Sequence, residues 1–219
     1  MRQIKKRCLI AYGAERNSYD KNKICGLRRQ CDIDYVNLYK PDYVGFILSK
    51  PFRRYIAPEN AAQLISQLNG KITSVGVFVD EPIEYVVAAA KAAKIGIIQL
   101  HGSEDDVYIK SIKEAVNLPI IKAFKVQSEY DIAAAKVSTA DYVLLDSGTG
   151  TGVSFDWSLI SDIGREFFLA GGINSDNAAS AIEKHHPYSL DISSGVETDG
   201  VKDKAKIETL IAAVRIRQQ

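Results

Sequence analysis

Apolar positions along the chain gather into eight short runs: Lys23–Cys25, Asp42–Leu48, Ile72–Val79, Ile95–Leu100, Ile120–Phe124, Asp141–Leu145, Phe167–Ala170 and Ser189–Ile192. Most are apolar at successive positions rather than at alternate ones, the pattern of parallel strands buried on both faces. Between them the spacing changes to that of helices with one buried stripe, at Cys31–Tyr39, Glu59–Leu68, Ile83–Ala93, Asp105–Ala115, Ser128–Ala135, Ser158–Ile163, Ser175–Glu183 and Asp203–Ile216. Several are opened by Pro, Asp or Ser, as helix starts should be. Strand and helix alternating in this way predict an α/β protein built as a single (β/α)8 barrel, at the small end of that fold's usual size. A doubly wound open sheet is the structural rival, but no Gly-x-Gly-x-x-Gly follows the first run. No low-complexity linker divides the chain, so the expected organisation is a loosely ordered extension over 1–21 and a barrel domain over 22–219.

Composition narrows the partners. The chain has 219 residues, 46% apolar and 25% charged, enough for one domain that buries roughly 70% of its unfolded surface. A net charge of +1 with mixed signs favours neither nucleic acid nor an anionic membrane, which leaves small molecules. No stretch approaches the roughly 20 apolar residues of a membrane span, and Cys8–Tyr12 is too short for a signal core although Lys5, Lys6 and Arg7 precede it. Cys8, Cys25 and Cys31 show no Cys-x-x-Cys spacing, which argues for free thiols in a reducing, cytoplasmic setting rather than disulfides or structural zinc.

Barrel enzymes work at the C-terminal ends of their strands. The reactive residues expected there are Cys25, Arg54, Asp80, His101 and Asp146, with Asp191 inside the eighth strand. They lack metal-ligand spacing, so the chemistry expected is proton transfer without metal. Taken singly each has a plainer reading: Cys25 as a buried small hydrophobe, Asp146 as turn chemistry before Ser147-Gly148, Arg54 as a solvated loop residue, His101 as a hydrogen-bonded structural residue. Cys25 acting as a base would need its thiol lowered from about 8.5 towards 7; Asp146 acting as an acid would need partial burial or a negative neighbour. Two glycine loops supply the second constellation. Ala170-Gly171-Gly172 follows the seventh strand and Ser193-Ser194-Gly195 the eighth, the places where barrels commonly hold phosphate through backbone N–H groups. Gly148–Gly152 could form a third wall or lid.

With these residues in order, the chain resembles the phosphoribosylanthranilate isomerases of tryptophan biosynthesis. The motifs that carry the likeness are Lys23-Ile24-Cys25-Gly26-Leu27, Val44-Gly45-Phe46 with Arg54-Tyr55-Ile56, Val75–Val79, Gln99-Leu100-His101-Gly102, Leu145-Asp146-Ser147, Phe155-Asp156-Trp157, Ala170-Gly171-Gly172, and Asp191–Glu197. The resemblance implies a ribulose-phosphate-binding (β/α)8 barrel without cofactor. It would be an aldose–ketose isomerase, converting N-(5-phosphoribosyl)anthranilate to 1-(2-carboxyphenylamino)-1-deoxyribulose 5-phosphate by an Amadori rearrangement, the third stage of tryptophan synthesis from chorismate. It implies that Asp146 protonates the furanose oxygen and Cys25 removes the C2 proton. Arg54 would meet the anthranilate carboxylate, with Gly171, Gly172, Ser194 and Gly195 on the phosphate, Asp191 a polar contact to substrate and His101 lining the pocket. The partner implied is a phosphosugar, with neither nucleic acid nor membrane, and the chain a monomer or homodimer.

Three departures stand out. About 20 residues precede the Lys-Ile-Cys-Gly motif; the loop after Asp146 is short, with Val153 where a basic residue is usual; and Phe52-Arg53 replace the usual residues before Arg54, so that Arg53 could assist or shift the carboxylate site. Two rivals are a related barrel isomerase of histidine biosynthesis, which uses Asp where this chain has Cys25, and a barrel that binds phosphosugar without turnover. His185 and His186 are expected to be solvated at a helix end.

Overall fold

The computed structural model describes residues 21–146, 160 and 163–215. Strands β1 (Lys21–Cys25), β2 (Tyr43–Ile47), β3 (Thr73–Phe78), β4 (Ile97–Leu100), β5 (Ile120–Lys125), β6 (Tyr142–Asp146), β7 (Phe167–Leu169) and β8 (Ser189–Ile192) pair in parallel in sequence order, and β1 also pairs with β8. The sheet is therefore a closed barrel. Every expected strand is present, its ends within one or two residues of the sequence reading, and the first begins at Lys21, the last residue of the expected extension. Helices α1 (Gln30–Tyr39), α2 (Pro58–Ile65), α3 (Ile83–Ala93), α4 (Asp106–Ala115), α5 (Glu129–Val137), α6 (Ala178–His185) and α7 (Lys204–Arg215) connect them. The expected helix at 158–163, the Gly148–Gly152 loop, Val153 and the segment 1–20 fall wholly or mostly outside the described residues.

Local chemistry explains where helices differ from the sequence reading. Helix α2 stops at Ile65 rather than Leu68, because Gln67 and Leu68 turn back on the carbonyls of Leu64 and Ile65 at i−3. Helix α6 starts at Ala178 rather than Ser175: the Asn177 side chain accepts from Asn174 N–H and the Asn174 side chain from Asp176 N–H, so a turn uses up the segment. A hairpin not expected from the sequence, β9 (Glu197–Thr198) with β10 (Val201–Lys202), lies between β8 and α7. Its two turn residues, Asp199 (φ 51°) and Gly200 (φ 76°), adopt the left-handed pair that a two-residue hairpin requires.

The alternation of side chains splits the core in two. One set, including Ile24, Val44, Phe46, Ile98, Val143 and Leu190, packs outward under the helices. The other, Val75, Ile97, Ile121, Leu144 and Phe168, fills the barrel interior. At the N-terminal mouth Tyr43, Tyr142 and Tyr188 pack about Phe168, and Tyr188 OH accepts from Lys21 Nζ at 2.5 Å. Period-2 geometry puts Lys23 and Cys25 on the same face as Lys21, so β1 aims a lysine and a thiol at the axis.

Candidate active site

At the opposite mouth, where the strands end, lies a cavity of about 440 Å³. Cys25 from β1, His101 after β4, Asp146 ending β6 and Asp191 from β8 line it, with Arg54 on the loop after β2. Gly171, Gly172 and Ser194 close it on the side of β7 and β8, and Phe52, Arg53 and Gln99 complete its polar and aromatic wall. Asp80 is the strand-end candidate the structure sets aside: it accepts from Ser103 N–H and Oγ–H, which hold its carboxyl below the usual range, and it fastens the loops after β3 and β4. His185 ends α6 and His186 caps it.

Gly195 is not among the residues that line the cavity. A Cβ there would run into the carbonyl of Ile173, so its bareness lets the loops after β7 and β8 lie against one another. Gly171 (φ 93°) and Gly172 (φ 68°) occupy the region that side chains disfavour. Gly171, Gly172 and Ser194 thus border the cavity where the loops after β7 and β8 meet. Ser193 Oγ donates to the Cys25 carbonyl at 3.1 Å and ties this wall to β1.

The arginine differs from expectation. Arg54 Nε and Nη2 donate to the two oxygens of Glu197 at 2.7 and 2.8 Å, so one edge of its fork is already occupied. Arg53 Nη2 reaches the same carboxylate at 3.0 Å, and the buried Lys202 Nζ donates to it at 2.8 Å. Burial alone would raise the Glu197 carboxyl, but Arg54 and Lys202 outweigh it and bring it to about 2. Three cations against one carboxylate leave positive charge beside the cavity, suited to an anionic ligand.

Beneath the thiol lies the least expected feature. Lys23 is fully buried, and its Nζ contacts Asp191 Oδ2 at 2.8 Å, Gln99 Oε1 at 2.5 Å and Cys25 Sγ at 3.5 Å. Burial opposes its charge, yet Asp191 and Cys25 hold it above the ordinary lysine range. For Cys25 the direction is opposite to the one expected for a base at neutral pH: burial pushes the thiol up, and Lys23 and Lys202 only oppose that push. Gln99 Nε2 lies 2.8 Å from His101 Nδ1, and His101 Nε2 lies 3.1 Å from Asp146 Oδ2. Lys23, Gln99 and Glu197 appear in the sequence motifs but carried no assigned role. For Lys23 the signal available was a charge at the head of an apolar run.

Among the described residues no group of three or more His, Cys, Asp or Glu is placed to hold a metal ion, and no helix is long and apolar enough to cross a membrane. The family model of N-(5'-phosphoribosyl)anthranilate (PRA) isomerase matches residues 22–213. The chain is 43% identical over 200 residues to the N-(5'-phosphoribosyl)anthranilate isomerase of Endomicrobium trichonymphae, covering 89% of this chain and 98% of that one. Against the Clostridium kluyveri isomerase it is 45% identical over 198 residues, with the same coverage. The phosphoribosyl anthranilate isomerase of Thermus thermophilus superposes with a TM-score of 0.82 at 32% identity, covering 90% of this chain and all of that one. Another such isomerase, solved in complex with reduced 1-(o-carboxyphenylamino)-1-deoxyribulose 5-phosphate, gives 0.81 at 34%, covering 90% and 98%.

Proposed function

We propose, from the premise that this chain belongs to the N-(5'-phosphoribosyl)anthranilate isomerase family, how its cavity carries out the reaction of tryptophan biosynthesis that gives the family its name. The observation that carries the reading is that Cys25 and Asp146, from β1 and β6, face one cavity whose far wall is the paired glycine loops. The bare loops receive the phosphate of N-(5-phosphoribosyl)anthranilate, and the surplus positive charge of Arg53, Arg54 and Lys202 draws the anthranilate carboxylate. Held at both ends, the ribose lies between acid and base.

Asp146 gives its proton to the furanose oxygen. The C1–O bond breaks, and the nitrogen lone pair forms the protonated Schiff base. Cys25 as thiolate then takes the C2 proton; the C–H electron pair makes the C1–C2 double bond and the iminium electrons return to nitrogen. The enolamine so formed tautomerises to the ketone. Because burial raises the Cys25 thiol, Lys23 and the cations above it supply the field in which the thiolate becomes accessible. A thiol kept reduced suits a cytoplasmic setting.

The test is loss of anthranilate-type fluorescence from freshly generated substrate, with wild type beside Cys25→Ala and Asp146→Asn. Each variant is expected to lose about 10²–10⁴-fold in kcat, the usual worth of a positioned acid or base. Variants within a few-fold of wild type would overturn the role assignments, and wild-type binding of inorganic phosphate without turnover would point to a barrel that only binds.

A further inference from the structure

Four hydrogen bonds through three side chains connect the two reacting groups along the floor of the cavity. From Cys25 Sγ the path runs to Lys23 Nζ (3.5 Å), from Nζ to Gln99 Oε1 (2.5 Å), from Gln99 Nε2 to His101 Nδ1 (2.8 Å) and from His101 Nε2 to Asp146 Oδ2 (3.1 Å). Each link constrains the next. A lysine ammonium has three N–H donors and no acceptor, and the three neighbours of Lys23 Nζ are Cys25, Gln99 and Asp191. The Gln99 atom facing it must therefore be the carbonyl oxygen, which turns the amide NH2 towards His101. An NH2 group cannot accept, so Nδ1 must be the bare nitrogen and the ring proton must lie on Nε2. That proton is donated to Asp146.

We propose that Lys23 is a positioning residue that sets the direction of this whole chain, holding His101 as the neutral Nε2–H tautomer that donates to Asp146. The inference rests on the roles given above to Cys25 and Asp146, and it extends them: one buried ammonium faces the base directly and addresses the acid through two intermediaries. Donation to Oδ2 stabilises the carboxylate left when Asp146 has given up its proton, and it fixes which oxygen points along the floor. Lys23 and Gln99 are both buried. A buried ion pair such as Lys23–Asp191 adds little to stability compared with apolar packing, which makes a role in the site the better account of its presence. The charged groups around the chain are Asp191 from β8, Lys202 from β10, Arg54 from the loop after β2, Cys25 from β1 and Asp146 from β6; β2 itself contributes Gly45 and no charge.

The experiment is 15N NMR of the ligand-free protein labelled at histidine, which has three such residues, with the His101 signals identified by their loss in His101→Asn. Wild type is expected to show a bare Nδ1 and a protonated Nε2 for His101. In Lys23→Met the amide of Gln99 is released to turn, and both tautomers should appear. In Gln99→Glu, which leaves Lys23 its acceptor, a carboxylate beside Nδ1 should draw a proton onto that nitrogen. The same variant should lower kcat/KM about tenfold and move its pH profile, the size of one misplaced hydrogen bond to an ionised group, while inorganic phosphate binds as before. A wild-type His101 that carries its proton on Nδ1 or populates both tautomers overturns the proposal, as does a pattern unchanged in Gln99→Glu. The tautomer readout needs no turnover, so an inactive wild type with His101 in the expected form would count against the isomerase roles and not against the chain of donors.

Discussion

Gly45 on β2 shows how little room the reacting thiol has. A Cβ added there would stand 2.6 Å from Cys25 Sγ, closer than unbonded atoms tolerate, and a tight 3.2 Å from Lys23 Cε. Gly45→Ala is thus expected to push the thiol off its place and lower kcat by about tenfold or more, since misplacing a reacting group by an ångström costs up to about a hundredfold. Circular dichroism should stay native, because the carbonyl of Gly45 still accepts from Gly26 and Leu27 N–H. At this scale strand-end position was informative for Cys25, His101 and Asp146, which line the cavity, and misleading for Asp80, which does not. Lys23 was not visible in this way, because a lysine at the start of an apolar run reads as the boundary of a strand. Its place on the barrel axis depends on the β1–β8 pairing, which brings Asp191 opposite it. Arg54 was located correctly, but its engagement with Glu197 depends on a hairpin that the apolar pattern did not disclose.

Between elements, the contact that matters most is that of the loops after β7 and β8. Gly195→Ala would set a methyl against the Ile173 carbonyl and force the two apart. The expected outcome is weaker binding of inorganic phosphate and a KM raised about tenfold, with kcat less affected, since the loops bind ground and transition state alike. Titration of the ligand by calorimetry checks the first and steady-state kinetics the second; unchanged phosphate affinity would remove the loops from the binding role. Helix positions were legible from their spacing, whereas their ends were decided by short polar side chains such as Asn174 and Asn177, which fold the backbone over a few residues and leave no periodic trace. The β9–β10 hairpin is too short for an alternating pattern, although Asp199-Gly200 is a recognisable turn pair.

For the molecule as a whole, the barrel followed from the count and continuity of its strands, and its closure could be expected because eight parallel strands with interleaved helices leave no edge to protect. The electrostatics could not be anticipated from a net charge of +1, because they depend on which few charges are buried together. Glu197, bound by Arg53, Arg54 and Lys202, links the loop after β2 to the hairpin after β8. Its carboxyl lies at about 2 in the folded protein against an ordinary 4.5, so folding favours the ionised form. The resulting stability is present in full above about pH 4.5 and is lost as the pH falls towards 2. Thermal melts should show wild type above Glu197→Gln at pH 7, with the gap narrowing through that window; a constant gap would mean that the carboxylate charge is not what holds the loops.

The pairing of β1 with β8 also has a consequence for how the protein is made. Lys23 leaves the ribosome 168 residues ahead of Asp191, the carboxylate that neutralises it, an interval of roughly ten to thirty seconds at ordinary rates of synthesis. Throughout that time the barrel lacks its last strand, and the lysine destined for its axis must stay in water. The nascent chain therefore cannot complete the floor of its own active site until nearly all of the fold has emerged, and assembly of that floor coincides with closure of the ring.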